Sequence, residues 1–186
     1  DYAAVTFDLP EPTFRHKLTD TYKAGREETP EEFTEDVENL KELLGAFHLP
    51  IFCTPGYEAD DMIGTLATRA KAQGFRVKIL SGDQDLFQLI DQDEDIKIVY
   101  LRPKFGSRTS TASEFGIAEV YEKLSILPCQ VIDYKALCGD TSDNIPGVKG
   151  IGKKTAVKLL DTYGDLGTIY DSIEELKGAM KKKLET

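Results

Sequence analysis

The chain has little of what thiolate, disulfide or imidazole chemistry needs. Its three cysteines, Cys53, Cys129 and Cys138, are odd in number and lack CxxC spacing. That excludes a disulfide framework and a zinc site, and it points to a reducing, intracellular setting. The two histidines, His16 and His48, have no carboxylate or nucleophile pattern around them, which leaves surface or packing roles. Cys53, at the end of an apolar run, is expected in the core. No apolar stretch approaches the roughly 18 residues that span a bilayer, and no signal-peptide pattern is present. There is no low-complexity run and no visible repeat. A Gly-x-x-x-x-Gly-Lys loop is also missing, which argues against nucleoside triphosphate hydrolysis.

What the chain does have is acid. Its 186 residues, enough for one large or two small domains, carry a net charge of −10. Such a balance ordinarily argues against a nucleic-acid partner. Here, however, Asp8, Glu58, Asp60, Asp61, Asp83, Asp85, Asp140 and Asp143 all fall in motif-like positions. Setting these aside leaves the rest of the chain close to neutral and free to present a basic face.

Residues 3–8 form a short apolar run ending in Asp8, which reads as a buried strand with a carboxylate at its C-terminal end. Residues 9–30 are polar and broken by prolines, and they carry Arg15, Tyr22, Lys23 and Arg26. Charge clusters are ordinarily solvated faces, and composition leaves both readings open. Thr29 is an N-cap candidate with Pro30 at N1, before a helix whose Phe33, Val37, Leu40, Leu44 and Phe47 form one apolar face. Residues 50–53 read as a strand, 54–74 as a loop and then a helix with Glu58 and Asp61 on one face. Residues 75–80 are a strand that delivers Asp83 and Asp85 at its C-terminal end, where open α/β sheets place ligands.

Residues 96–113 read as a strand, a turn near Phe105-Gly106 and a second strand. A helix capped by Ser113 then covers 113–124. Residues 128–139, 153–163, 165–172 and 173–184 are helical. Strands alternating with helices early, and helices late, imply an α/β core over 1–127 and a helical subdomain over 128–186. The opening inside a strand and the ending inside a helical pattern suggest a fragment of a longer protein.

The richest stretch is 139–160. Asp140 and Asp143 stand three apart, which puts both on one side of a helix end or tight turn. Gly147, Gly150 and Gly152 then make a hairpin that requires close backbone approach or positive φ. Lys153 and Lys154 open the next helix, whose N-terminal amides suit a phosphate. Many carboxylates near one another are costly unless cations neutralise them, and oxygen-only donors select a hard ion such as Mg²⁺ or Mn²⁺. Two such ions about 4 Å apart would polarise a scissile phosphate and generate hydroxide. Each acidic pair alone is more often a helix-dipole partner or a turn.

The segments FDLPEPTFRH, TYKAGR, PGYEADDMIGTLA, SGDQDLFQL and GDTSDNIPGVKGIGKKTAVKLL resemble the 5′-nuclease family found in bacterial DNA polymerase I and in flap endonucleases, over nearly the whole chain. The resemblance implies a PIN-like fold: a mixed, mostly parallel sheet flanked by helices, with a helical arch at 9–30 and a helix-three-turn-helix DNA grip. It implies that the eight carboxylates line a site for two divalent ions. It also implies that Tyr22, Lys23 and Arg26, with Arg15, handle the scissile phosphate and the 5′ single strand. Gly147, Gly150 and Gly152 match the hairpin that holds a K⁺ in this family, and Lys153 and Lys154 match its phosphate contacts. The family's earlier strand, which bears another metal-binding aspartate, has no counterpart here.

The expectation is therefore a divalent-metal-dependent 5′-3′ exonuclease or flap endonuclease for primer removal and repair. Its partner is DNA with 5′ ends or flaps, RNA primers included. It is expected in the cytoplasm at the bacterial nucleoid, or in a plastid if the source is eukaryotic, as a monomer or as part of a polymerase chain. The alternatives are a non-catalytic DNA-binding module and a metal-dependent phosphotransfer enzyme acting on a small substrate.

Overall fold

A computed structural model describes residues 2–26, 30–103, 110–176 and 178–185. Thr29 and the turn at Phe105-Gly106 lie outside the described residues. The chain divides into two compact units, one made of Asp1–Leu66 with Ser142–Asn144, the other of Ala67–Thr141 with Ile145–Thr186. Among the described residues no helix is long and apolar enough to cross a membrane.

In the first unit, β1 (Val5–Thr6) pairs in parallel with β2 (Ile51–Phe52), Val5 opposite Ile51. The strand expected at 3–8 is thus two residues long. It is only half-buried, and Asp8 beyond it is exposed. The arch segment forms α1 (Phe14–Leu18) and a run of turns. His16 has a local job there: its Nδ1 accepts from the Thr13 backbone N–H at 3.2 Å and caps the short helix. Next comes α2 (Glu31–Ala46), with Pro30 at the N-cap position rather than at N1. Its expected apolar stripe is not a core face. Phe33, Leu40 and Phe47 are exposed, Phe47 at 68%, and Val37 and Leu44 are only half-buried. The 3.6-residue period shapes the helix, but little of this unit packs against that stripe. Cys53, expected in the core, is exposed as well.

The division between the units falls within α3 (Ala59–Ala72). In the second unit β3 (Val77–Ser81) pairs in parallel with β4 (Ile96–Pro103), and β4 pairs antiparallel with β5 (Ser110–Phe115). The sheet is mixed, as expected. Alternation on β4 sends Ile96, Ile98 and Tyr100 inward. A 3-10 turn over Asp85–Leu89 supplies Phe87, whose ring stacks on Phe115 at 5.0 Å with 7° between planes. That contact explains a correction. Ser113 does not cap a helix, because Ser113–Phe115 continue β5 opposite Ile98–Tyr100. The helix α4 (Ile117–Leu124) begins only after Gly116.

A 3-10 turn over Pro128–Gln130 leads into α5 (Val131–Cys138), then the small antiparallel pair β6 (Gly139–Asp140) and β7 (Ile145–Pro146). Helices α6 (Lys153–Tyr163), α7 (Leu166–Asp171) and α8 (Ala179–Leu184) complete the unit. The single helix expected at 173–184 is interrupted: a 3-10 turn at Ile173–Glu175 ends at Leu176, and Gly178 sits at φ 61° before α8. Val120, Leu137, Leu160 and Ile169 close the core with Phe87 and Ile98.

Candidate metal and nucleic-acid site

In the first unit, the acids of α3 meet the cations of the arch segment. Asp8 accepts from the Ala59 N–H at 2.7 Å, and Asp61 accepts from the Glu58 N–H at 2.9 Å. Both contacts satisfy amides at the half-buried start of α3 and place acid at its positive end, with Asp60 in the same turn. Arg15 grips Asp61 with both guanidinium nitrogens at 2.8 Å. Lys23 Nζ donates to Glu58 at 2.7 Å, and the Tyr22 hydroxyl donates to Glu58 at 3.0 Å and lies 3.3 Å from Asp143. Arg26 donates to Asp143 at 2.7 Å.

Residues 142–144 are stitched onto the arch by backbone as well. Lys23 N–H donates to the Asp143 carbonyl at 2.9 Å, and the Asn144 amide donates to the Thr21 carbonyl at 2.8 Å. Three carboxylates, Glu58, Asp61 and Asp143, therefore meet three cations from one short segment. The bidentate Arg15 holds the Asp61 carboxyl below the usual carboxylate range. Burial, reinforced by the Glu58 carboxylate, pushes the Tyr22 phenol well above its ordinary range, so at neutral pH the hydroxyl keeps the proton it donates.

The second unit holds Asp83, Asp85 and Asp140. Asp83 accepts from the Asp85 N–H at 2.8 Å and so opens the 3-10 turn that follows β3. Asp85 and Asp140 share one cation, Lys135 of α5, at 2.7 and 2.6 Å. Asp140 is the buried acid, 9% exposed. Burial pushes the Asp85 carboxyl up, and Lys135 opposes that push. Burial works against the charge on Lys135 too, but its bonds to Asp140 and Asp85 outweigh it and raise its pKa.

Asp140 and Asp143 fall in different units, and each is held by its own cation. The reason is local. β6 and β7 pair immediately around residues 141–144, which project as the turn between them.

Gly147, assigned from sequence to the phosphate hairpin, has a packing role. A Cβ there would stand 2.2 Å from the Cys138 carbonyl carbon and from the Gly139 nitrogen, so only glycine lets β7 leave so close to β6. Gly150 has φ +81°, and its carbonyl accepts from Lys183 Nζ at 2.7 Å. Gly152 is the N-cap of α6, and Lys153 and Lys154 are exposed on its first turn.

Sequence reasoning missed two features. Lys135 was passed over, although it is the only cation within the otherwise mostly apolar VIDYKALC helix. Asp91, Asp93 and Asp95 were also missed. Their oxygens lie within 4.8 Å of one another, and the signal was the DQDED run. Lys71 pairs with both Asp91 and Asp93.

The donor set of both carboxylate groups is all oxygen, and Asp85 and Asp140 are desolvated acids with one cation between them. Both features fit a hard divalent ion.

Two family models match in tandem: 5′-3′ exonuclease, N-terminal resolvase-like domain, over residues 1–125, and 5′-3′ exonuclease, C-terminal SAM fold, over residues 126–186. The chain is 48% identical over 183 residues to DNA polymerase I of Synechocystis sp., covering 98% of this chain and 18% of that protein. It is 42% identical over 185 residues to the thermostable DNA polymerase I of Thermus thermophilus, covering 100% of this chain and 21% of that one. It thus spans about a fifth of the length of these relatives. Among solved structures it is similar to the D15 flap endonuclease of bacteriophage T5 in a pseudo-enzyme-product complex with DNA and metal ions. That match has a TM-score of 0.73 and 26% identity, covering 98% of this chain and 67% of that one. With both halves matched in order and the fold shared, the chain belongs to the 5′-3′ exonuclease family.

Proposed function

We propose that the chain is the nuclease part of a divalent-metal-dependent 5′-3′ exonuclease and flap endonuclease carried on a DNA polymerase I. The observation that carries this reading is the concentration of Arg15, Tyr22, Lys23 and Arg26 on Glu58, Asp61 and Asp143. A guanidinium or ammonium that grips a carboxylate can grip a phosphate in the same geometry. The arch segment is thus a phosphate-handling device built beside acids.

Asp8, Glu58, Asp60, Asp61 and Asp143 in one unit, and Asp83, Asp85 and Asp140 in the other, are the ligands for Mg²⁺ or Mn²⁺, two ions in all. Bound there, such ions would activate water and neutralise the scissile phosphate. Lys23 and Arg26 orient the phosphate, and Tyr22, kept protonated, donates a hydrogen bond to it. Lys153 and Lys154 meet the duplex backbone at the start of α6, where free amides and the helix dipole favour phosphate. The Gly150 carbonyl, already the acceptor of an ammonium, is the best-supported position for a K⁺ at the hairpin. Substrates are DNA 5′ ends and flaps with RNA primers included, and the setting is cytoplasmic. A boundary near residues 127 and 128 is supported by family models that meet at 125 and 126.

The test is cleavage of a 5′-flap DNA by the full-length gene product. Asp83→Ala and Asp143→Ala are each expected to lower kcat by at least about a hundred-fold, in the range of lost electrostatic stabilisation, while flap binding is retained. Full cleavage by both variants overturns the assignment.

A further inference from the structure

Lys135 joins three elements of the second unit. Its Nζ lies 2.7 Å from Asp85 at the head of the 3-10 turn and 2.6 Å from Asp140 on β6. The two acids are held firmly. Asp140 is buried within the β6–β7 pair, which the close approach of Gly139 and Gly147 locks, and Asp85 is followed by the fully buried Leu86 and Phe87. The cation between them is the movable partner. Its helix is anchored by buried Tyr134 and Leu137, but the ammonium ends a flexible four-carbon stem and remains 34% exposed. A divalent ion would bring one positive charge more than the ammonium to the same two carboxylates.

We propose that Lys135 is the internal counter-ion of the Asp85–Asp140 pair and yields its place when a divalent cation binds. The inference rests on the proposal above that these acids take such an ion. Lys135 is then a positioning residue. It keeps the two acids together before the ion arrives, and its departure sets how tightly the ion is held. The displaced ammonium is free to take an anionic oxygen instead.

Mn²⁺ is the probe. In Lys135→Met the metal-free chain is expected to unfold at lower temperature, because buried Asp140 and half-buried Asp85 lose the cation that bridges them. Its Mn²⁺ affinity by calorimetry is expected to rise on the order of ten-fold, since a competing positive charge has gone. Lys135→Arg is expected to restore the metal-free stability, and Asp85→Asn combined with Lys135→Met to cancel the gain in affinity. Wild-type chain gives an arm that needs no variant: acetylation of Lys135, read by mass spectrometry, is expected to quicken when Mn²⁺ saturates the protein.

Unchanged or weaker Mn²⁺ binding in a folded Lys135→Met overturns the counter-ion role, and so does acetylation indifferent to Mn²⁺. If Asp85→Asn alone leaves Mn²⁺ binding untouched, the ion site itself is misassigned and both proposals fall.

Discussion

Among the described residues, the second unit buries Phe87, Ile98, Val120, Leu137, Leu160 and Ile169 almost completely, whereas the first buries only Thr13 and Tyr22. Tyr22 is itself a candidate site residue, hydrogen-bonded to Glu58 and Asp143. The first unit is therefore organised around its ion network, and the second around hydrocarbon. The carboxylates follow suit. In the first unit Glu58, Asp61 and Asp143 are held by cations from a short, irregular segment, and in the second Asp85 and Asp140 by one lysine rooted in a packed helix. Where structure and site use the same residues, a change in one is a change in the other. Where a core carries the site, a site residue can be changed while the hydrocarbon packing beneath it stays in place.

The sharpest way to break that comparison is to remove one large side chain from each unit. Phe87→Ala deletes a ring that is 0% exposed and stacked on Phe115, and is expected to cost about 3–5 kcal/mol of unfolding free energy. Phe47→Ala, on the exposed stripe of α2, is expected to cost less than about 0.5 kcal/mol. Urea denaturation of both variants decides it. Equal losses would mean that the apolar face of α2 is part of a core after all.

That stripe also marks where sequence reasoning stops. Periodicity located α2, α3 and α6 because a helix writes its own spacing. It could not say which stripe finds a partner, since burial depends on elements distant in the chain. Phe33 and Phe115 illustrate the limit. The first falls on the apolar face of a helix and is exposed, whereas the second is expected in a helix and is a core strand residue. The motif acids were legible because short loops after strands and at helix starts put them there. Their pairing was not. The alternation of two units around residues 142–144, and the choice of Lys135 as partner of Asp85 and Asp140, arise only from tertiary contacts.

A second, smaller test asks whether the first unit depends on its polar network as the second depends on its rings. Tyr22→Phe keeps the buried ring but leaves Glu58 without the hydroxyl at 3.0 Å and Asp143 without the one at 3.3 Å. Hydrogen bonds to charged groups contribute about 1.5–3 kcal/mol. The amide of Lys23, which donates to the Asp143 carbonyl, is expected to exchange its hydrogen at least about ten-fold faster in the variant. The fully buried amides of the second unit serve as the internal control. Acceleration spread equally over both units would mean that they unfold together, and the contrast between them would lose its meaning for stability.

Acid offers the most delicate separation, because Asp61 of the first unit and Asp85 of the second are shifted in opposite directions. Arg15 holds Asp61 below its ordinary pKa, so the charged form is favoured by folding. The stability it brings is complete above the unfolded value of about 3.9 and is lost as pH falls through the depressed folded value. Burial raises Asp85, so folding disfavours its charge, and acidification through that raised value relieves a penalty instead. In buffer without divalent ions, wild type is expected to exceed Asp61→Asn in stability at pH 5 by on the order of 1 kcal/mol or less, since Arg15 is 33% exposed and such pairs are weak. The gap is expected to narrow as pH falls below about 3.9 and to close only once pH has passed the depressed folded value, where Asp61 too is uncharged. For Asp85→Asn the dependence runs the other way, with the variant gaining on wild type as pH rises. Carboxyl NMR titration of both residues reads the two directions directly. If both carboxyls titrate below the ordinary range, Lys135 outweighs burial at Asp85, and the second group is held by charge pairing just as the first is.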